Sequence, residues 1–146
     1  MTTSSPGDAL HRLLHAYKRA MRDAYAAAGI ELPGSHVRVM KAICHLPQCS
    51  AHDIVARMRR DKAQITRIVQ DLHAAGLIRR HPDPADKRRQ ILTPTAAGKR
   101  MRERITAAEH DAGKRMLHGL PPASVTQFVR LAEAMAANLD SPEKKP

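Results

Sequence analysis

The sequence predicts a mainly α-helical fold in which a helix-turn-helix is followed by a small β-hairpin, the wing. Apolar residues recur at three- and four-residue steps in several segments, which is typical of amphipathic helices. Two short β-prone runs near the middle of the chain are separated by a turn-rich stretch. Aromatic residues make up only 2% of the 146 residues, so we expect a core of aliphatic side chains packed between helices.

Two helices open the chain. The first is predicted over residues 8–28 from its apolar spacing, and Gly29 ends it. A turn follows, and Ser35 is the predicted N-cap of the second helix. This helix runs through Leu46, and Pro47 prevents it from continuing because proline lacks an N–H.

The next two helices form the helix-turn-helix. Ser50 and Asp53 have the spacing of a capping box, so a third helix is predicted to begin there and to run through about Met58. Asp61 occupies a comparable cap position and opens a fourth helix that ends at Ala75. The glycine that follows suits the left-handed backbone that commonly ends a helix.

The hairpin and two further helices complete the chain. Residues 77–81 and 87–93 are predicted to pair, because the segment between them is dense in proline and aspartate. A fifth helix is predicted from near Thr95 to about His118, and a sixth over residues 124–139. The buried line predicted for the fifth helix is Met101, Ile105, Ala108, Ala112 and Met116.

This order of elements divides the chain into four parts. We expect an N-terminal dimerisation helix over 1–34, a winged helix-turn-helix DNA-binding domain over 35–98, C-terminal dimerisation helices over 99–139 and a disordered tail over 140–146. The first, fifth and sixth helices carry apolar stripes that the small central part cannot fully cover. They are therefore predicted to cover one another in a homodimer.

Positive charge is concentrated in the centre of the chain. The net charge is +11, and residues 57–104 hold 14 Lys and Arg against 5 Asp and Glu. A basic cluster of this kind predicts a polyanionic partner, and the helix-helix-wing order points to duplex DNA. The scarcity of aromatic residues argues against binding single strands or RNA by base stacking.

The fourth helix has an outer face that suits base reading. On a helical wheel, its apolar residues fall on one narrow face and small or polar residues fall opposite. Such a face fits the major groove, where Arg67 can pair with guanine and Gln64 or Gln70 with adenine. Basic residues beside the helix and on the hairpin would bind phosphates or the minor groove. The predicted DNA-binding residues are Arg60, Lys62, Ala63, Gln64, Thr66, Arg67, Gln70, Asp86, Lys87, Arg88 and Arg89.

The run Asp61–Arg80, followed by Asp83–Arg88, resembles the MarR family of winged-helix transcription regulators, as does the spacing of Asp86, Arg88 and the motif Thr95-x-x-Gly98. The resemblance implies a homodimer that binds a pseudo-palindromic operator, usually as a repressor. It also implies release of DNA when a small organic molecule or an oxidant acts where the dimer and DNA-binding regions meet. In this resemblance the fourth helix enters the major groove, Arg88 reaches the minor groove and Asp86 orients the wing through a salt bridge.

One residue departs from the family pattern. Pro94 stands where family members usually have leucine. Because proline cannot donate a hydrogen bond, the return strand of the hairpin is expected to end early or to be bulged there.

The sequence does not identify an effector. His36, His45 and His52 lie near the expected junction and are candidate ligand contacts. Cys44 falls on an apolar helix face and is a predicted core thiol, whereas Cys49 falls in a predicted loop. A redox-sensing regulator of the same fold is therefore kept as an alternative.

Other classes of protein lack their signatures here. His11 and His15 have a spacing that can share a metal, but no Cys/His cluster accompanies them, so no metal or cofactor is predicted and metal sensing is only an alternative. No apolar run approaches the ~20 residues of a membrane span, and no signal peptide opens the chain, so we expect a cytoplasmic protein. No catalytic motif predicts an enzyme. A non-specific architectural DNA-binding protein is the second alternative.

Overall fold

A computed structural model describes residues 4–141. Its elements are α1 (Pro6–Ala27), α2 (Gly34–His45), α3 (Ala51–Met58), α4 (Lys62–Ala74), β1 (Ile78–Pro82), β2 (Gln90–Pro94), α5 (Ala96–Met116) and α6 (Pro122–Asp140). The predicted helical fold with one β-hairpin is confirmed. The chain divides into two compact units, Met1–Ala112 and Gly113–Pro146. The predicted disordered tail lies outside the described residues from position 142 onward, while Asp140 is the last residue of α6.

The predicted caps of α3 and α4 are present. The Asp53 N–H donates to Ser50 Oγ at 3.3 Å and the Ser50 N–H donates to Asp53 Oδ2 at 2.9 Å, which completes the capping box. At α4, the Gln64 N–H donates to Asp61 Oδ2 at 3.3 Å. The Ser50 hydroxyl and the Asp61 carboxylate each accept a helix N–H that would otherwise have no partner within the helix.

The predicted cap of α2 is wrong. Helix α2 begins at Gly34 and Pro33 precedes it, with no side chain capping the helix. Ser35 therefore lies inside the first turn, where its hydroxyl is 3.1 Å from His36 Nδ1. Proline has a backbone φ already suited to a helix start, and the Pro33 carbonyl accepts the Val37 N–H at 3.0 Å.

The core of the first unit is aliphatic, as predicted. Its most deeply buried side chains are Val37, Val39, Met40, Ile43, Cys49, Ile54, Ile65, Leu72 and Ile105. Cys49 was expected in a loop. It follows α2 but is fully buried, and its carbonyl accepts the Leu92 N–H at 2.7 Å, so it extends the hairpin as a single bridged residue.

The hairpin keeps its register through Pro94, contrary to expectation. The strands are antiparallel and Pro94 lies opposite Ile78. The next residue, Thr95, donates its N–H to the Leu77 carbonyl at 3.0 Å. Because hydrogen-bonded and non-hydrogen-bonded pairs alternate along such a ladder, an N–H at position 94 would point away from β1. Proline therefore costs the hairpin no hydrogen bond, and neither an early end nor a bulge occurs.

The Thr95-x-x-Gly98 motif joins the hairpin to α5. Thr95 Oγ1 donates to the Gly76 carbonyl at 2.6 Å and accepts the Gly98 N–H at 3.1 Å. Gly98 packs so closely that an added Cβ would lie 2.0 Å from the Leu77 carbonyl oxygen. The motif therefore needs a hydroxyl at its first position and no side chain at its last.

Apolar side chains stay exposed on α1 and α6 of the single chain. Leu10 is 61% exposed, and α6 has no buried residue, with Phe128 50% and Met135 54% exposed. On α5 the predicted buried line holds for Ile105, Ala108 and Ala112, and Met101 packs against the core. Met116 is 42% exposed, so the prediction that it is buried is wrong for the single chain. Among residues 4–141, no helix is both long enough and apolar enough to cross a membrane.

Replacing Gly98 with alanine is expected to destabilise the fold by about 3 kcal/mol, because the new methyl group would overlap a main-chain oxygen that cannot easily move. Chemical denaturation measures the change. Gly113→Ala is the matched control, since nothing lies within 4 Å of its Cβ position on the same helix. An equal effect of the two substitutions would contradict the close approach at Gly98.

Candidate nucleic-acid interface

Helix α4 is anchored by one face and exposes the other. Ile65, Ile68, Val69 and Leu72 are buried in the core, as the wheel predicted. The small and polar residues of the opposite face are exposed: Ala63, Gln64, Thr66, Arg67 and Gln70. The helix thus offers hydrogen-bonding groups to a partner while its apolar face holds it in place.

Thr66 has a restricted hydrogen-bonding capacity. Its hydroxyl donates to the Lys62 carbonyl at 2.8 Å, one helical turn earlier. The hydroxyl proton is therefore engaged, but the oxygen keeps lone-pair capacity and the residue is exposed. Such a group can accept from a base amino group or contact a thymine methyl.

A groove of about 540 Å³ lies between α4 and the hairpin. It brings together residues from the start of α3, the middle of α4 and the wing: Ser50, Ala51, His52, Thr66, Val69, Gln70, Arg80, Asp86, Arg88, Arg89, Gln90 and Leu92. Arg80 was not among the predicted DNA-binding residues. The alternation of β1 could have identified it, since Arg79 and Arg80 point to opposite faces of the hairpin.

The other predicted DNA-binding residues lie outside the lining of this groove. Arg60 and Lys62 flank the cap of α4, and Lys87 lies in the turn of the wing. Arg67 is on the exposed face of α4. All of these are exposed except Arg60, which is half-buried. Positive charge is therefore present at the start of α4 and at the wing, with the polar face of α4 between them in sequence.

Asp86 shapes the turn of the wing through the main chain. Its Oδ1 accepts the Arg88 N–H at 3.0 Å, and its carbonyl accepts the Arg89 N–H at 2.9 Å. The ion pairs found at the wing within residues 4–141 involve Asp83 and Arg89 instead. The predicted role of Asp86 is thus corrected: it orders the turn by a main-chain hydrogen bond, as aspartate commonly does.

Arg89 fastens the wing to the start of α3. Its Nη1 donates to Asp83 Oδ2 at 3.2 Å, its Nη2 donates to the Gln48 carbonyl at 3.0 Å, and Nη2 also forms an ion pair with Asp53. Arg89 was predicted to bind DNA, but these bonds engage both of its terminal nitrogens within the protein. The sequence offered one indication of this role: Asp83 and Arg89 lie on either side of the turn, where opposite charges can pair.

The Asp53 carboxylate takes part both in the capping box of α3 and in the bonds by which Arg89 holds the wing, here called the Arg89 clamp. The hydrogen bond from the Ser50 main chain, and then the bond and charge of Arg89, hold the pKa of Asp53 below its ordinary value of 3.8. Because this pKa is lowered, the ionised carboxylate stabilises the fold when the pH is above the ordinary pKa. The stabilisation is lost as the pH falls through the lowered pKa. At neutral pH the clamp is therefore fully charged.

The three histidines predicted as ligand contacts do not meet. His36 lies between α2 and α4, with Nε2 2.9 Å from Asp71 Oδ2 and Nδ1 facing Ser35. His45 is exposed beside α5, and His52 lines the groove between α4 and the wing. A single pocket built from all three is therefore not present.

The two thiols are both protected from ionisation. Burial raises the pKa of Cys49 to about 11, and Asp53 adds to the rise. Cys44 is half-buried, and burial raises its pKa although Arg102 and Lys99 act against it. Since the thiolate is the reactive form, burial disfavours oxidation at both positions. Within residues 4–141, no three His, Cys, Asp or Glu side chains are grouped closely enough to hold a metal ion.

The chain is similar to known DNA-binding regulators. Residues 30–89 match the sequence model of the MarR family. The HTH-type transcriptional regulator BilQ of Clostridium symbiosum is 29% identical over 89 residues. That match covers 61% of this chain and 62% of BilQ, so the chain spans less than two thirds of this relative.

Two solved structures are similar over most of the chain. A MarR-family transcriptional regulator from Rhodococcus sp. RHA1 has a TM-score of 0.77 and 26% identity, covering 90% of this chain and 93% of its own. CouR from Rhodococcus jostii RHA1, bound to p-coumaroyl-CoA, has a TM-score of 0.77 and 27% identity, covering 89% and 90%. The likeness thus extends beyond the residues 30–89 that match the family.

Arg89→Met is expected to loosen the wing, because the isosteric stem remains but the bonds to Asp53, Asp83 and Gln48 are lost. Amide hydrogen exchange at Leu92 and Asp83 should become several-fold faster while that of α4 changes little. Arg88→Met is the matched control and should leave the exchange of the wing unchanged. Equal protection in both variants would show that Arg89 does not hold the wing.

Proposed function

We propose that the chain is a member of the MarR family, whose sequence model it matches over residues 30–89, and that it is a transcriptional regulator that binds a specific duplex DNA sequence. The observation that carries the proposal is the groove between α4 and the wing, where uncharged hydrogen-bonding side chains lie beside arginines. Charged groups alone would favour the phosphate backbone of any sequence. Uncharged groups such as Gln70 supply the donors and acceptors that discriminate between bases.

In this proposal the exposed face of α4 reads bases in the major groove. Arg67 can donate two hydrogen bonds to guanine, and Gln64 or Gln70 can pair with adenine. Ala63 is small enough to let the helix backbone come close. The buried face of α4 supports this role, because a rigid helix positions such side chains more precisely than a loop.

The wing anchors the protein on the DNA. Arg88 and Arg80 line the groove on the hairpin side, and Lys87 is exposed in its turn. A narrow minor groove has a strongly negative potential that attracts arginine with little regard to sequence. The Arg89 clamp supports this assignment, since a fastened wing loses less conformational entropy on binding.

We also propose that the regulator is a homodimer that represses transcription from a pseudo-palindromic operator. The exposed apolar residues of α1 and α6 support the dimer, because isolated chains seldom expose so many large apolar side chains along their helices. A twofold axis relating two reading helices would present them to two half-sites.

Release of DNA by a small organic effector completes the proposal. It draws support from CouR, which is similar over most of the chain and has been solved with p-coumaroyl-CoA bound. A cavity of about 660 Å³ lies between Cys44, Pro94 and α5, which is a suitable size for an organic ligand. The burial of Cys44 and Cys49 gives the redox alternative less support than the ligand.

Arg67→Ala and Arg88→Ala should affect DNA binding differently. Selection from a random duplex pool is expected to yield a palindrome, which then serves as the operator. Arg67→Ala should weaken binding by about 1–3 kcal/mol and relax the preference at one base pair in each half-site. Arg88→Ala should weaken binding to the operator and to a scrambled duplex alike, and should lower the log–log salt slope by about one unit per arginine removed.

Two outcomes would contradict this account. Selection that enriches no sequence would argue for the architectural alternative, and exchanged behaviour of the two variants would reverse the assigned roles.

The chain is expected to sediment as a dimer of its 16.1 kDa mass at micromolar concentration. Phe128→Asp should weaken that dimer by about 2–3 kcal/mol or more, because a carboxylate would be buried without a partner. Gln127→Asp is the matched control, since it places the same charge at the neighbouring exposed position. A folded wild-type monomer would contradict the dimer, and equal effects of both substitutions would show that Phe128 is not in the interface.

A further inference from the structure

Two neighbouring cavities lie along one flank of α5. The first, about 660 Å³, is bounded by Cys44 of α2, Pro94 at the end of the wing, and α5. The second, about 440 Å³, is bounded by α2, by the end of α3 at Arg57, and by α5. Arg102 and Thr106 line both cavities. The two cavities are therefore adjacent, and together they are here called the α2–α5 groove.

The α2–α5 groove is strongly basic. Five lysine and arginine side chains line it: Arg38, Lys41, Arg57, Lys99 and Arg102. His45 and His110 line it as well, and Glu103 is its one acidic wall residue within residues 4–141. Like charges gathered around a concave, partly apolar surface repel one another more than charges spread over a convex one, because the field is focused there.

Most of these cations have no partner among residues 4–141. In the described part of the chain, no hydrogen bond or ion pair engages Arg38, Arg57, Lys99 or Arg102. Lys41 is different: its Nζ is 2.9 Å from both carboxylate oxygens of Glu109. The positive charge of the groove is thus largely uncompensated, which is unusual for arginines that serve only to stabilise a fold.

We propose that the α2–α5 groove binds a small organic ligand that carries several anionic groups, phosphates foremost. Guanidinium groups pair with phosphate oxygens in two-pronged, charge-assisted bonds, and several such bonds would relieve the repulsion in the groove. The apolar walls at Cys44, Pro94 and Met58 suit the carbon skeleton of such a ligand. This inference rests on the effector part of the proposed function and specifies the chemistry of the effector.

The DNA backbone is the less favoured occupant. The groove between α4 and the wing shares no lining residue with the α2–α5 groove. Cavities of several hundred Å³ enclose small molecules, whereas a duplex backbone is contacted by protruding side chains. A ligand in the groove would touch Pro94, the last residue of β2, and could therefore act on the position of the wing.

Equilibrium binding of inorganic tripolyphosphate to the full chain, at constant ionic strength and without DNA, tests the inference. Tripolyphosphate should bind at least tenfold more tightly than orthophosphate or benzoate. Arg102→Ala should weaken tripolyphosphate binding at least tenfold, because Arg102 lines both cavities. Arg88→Ala, which removes the same charge from the wing, should leave it unchanged. If Arg102→Ala fails to fold, Arg38→Ala on the surface of α2 takes its place.

Three results would overturn the inference. Loss of tripolyphosphate binding in Arg88→Ala but not in Arg102→Ala would assign the anion to the DNA-binding groove. Benzoate that binds as tightly as tripolyphosphate would show a site for a single anionic group. Weaker operator binding by ligand-free Arg102→Ala, with a shallower salt dependence, would make the groove a DNA surface. The first two results do not depend on whether a specific operator exists, which the selection experiment decides separately.

Discussion

The ion pair between Arg89 and Asp53 is the contact on which the shape of the groove between α4 and the wing depends. Asp53 begins α3 by capping its main chain, and the same carboxylate holds the guanidinium that fastens the wing. The wing is only a two-stranded hairpin, and such a hairpin is at best marginally stable alone. Its position relative to the helix-turn-helix therefore comes from a few directional bonds and from the bridge between Leu92 and Cys49. Those bonds set the width of the space between α4 and the wing.

The sequence predicted what depends on local chemistry. The capping box at Ser50, the buried face of α4 and the left-handed Gly76, with φ of 72°, all follow from residue type and spacing. Contacts between segments that are far apart in the chain could not be predicted from the sequence. Arg89 has the same chemistry as Arg88 in the same turn, and only the fold brings Asp53 and Gln48 to one of them. Pro94 was misjudged because the phase of the hydrogen-bonded ladder, and not the residue alone, decides whether an N–H is needed. Cys49 does lie in the segment between α2 and α3, but its burial was not predicted, because Leu92, which bridges it, is distant in sequence.

The molecule separates its surfaces by chemistry. Uncharged polar side chains and arginines line the groove between α4 and the wing. Cations that mostly have no partner among residues 4–141 line the α2–α5 groove, and apolar side chains cover the exposed faces of α1 and α6. Helix α2 lines the α2–α5 groove and also contacts α1 and α5 through a polar cluster. There Glu109 accepts from Tyr25 at 2.7 Å and from Lys41, and burial together with the Glu109 bond raises the pKa of Tyr25. Lys41 thus lines the α2–α5 groove and also bonds to Glu109, which holds Tyr25 of α1. An anion that draws Lys41 away from Glu109 would therefore alter the contact between α1 and α5.

The close approach at Gly98 has a mechanical meaning. With no room for even a methyl group between α5 and the Leu77 carbonyl, the root of the wing and the first turn of α5 must move as one body. From Ala96 to Ala112, α5 is about 24 Å long at 1.5 Å per residue, so it acts as a lever arm. A tilt of about 5° pivoting at Gly98 would displace the far end of this arm by about 2 Å. Conversely, a small shift imposed along α5 would be returned to the wing as a rotation. The contact at Gly98 thus couples the direction of α5 to the position of the wing.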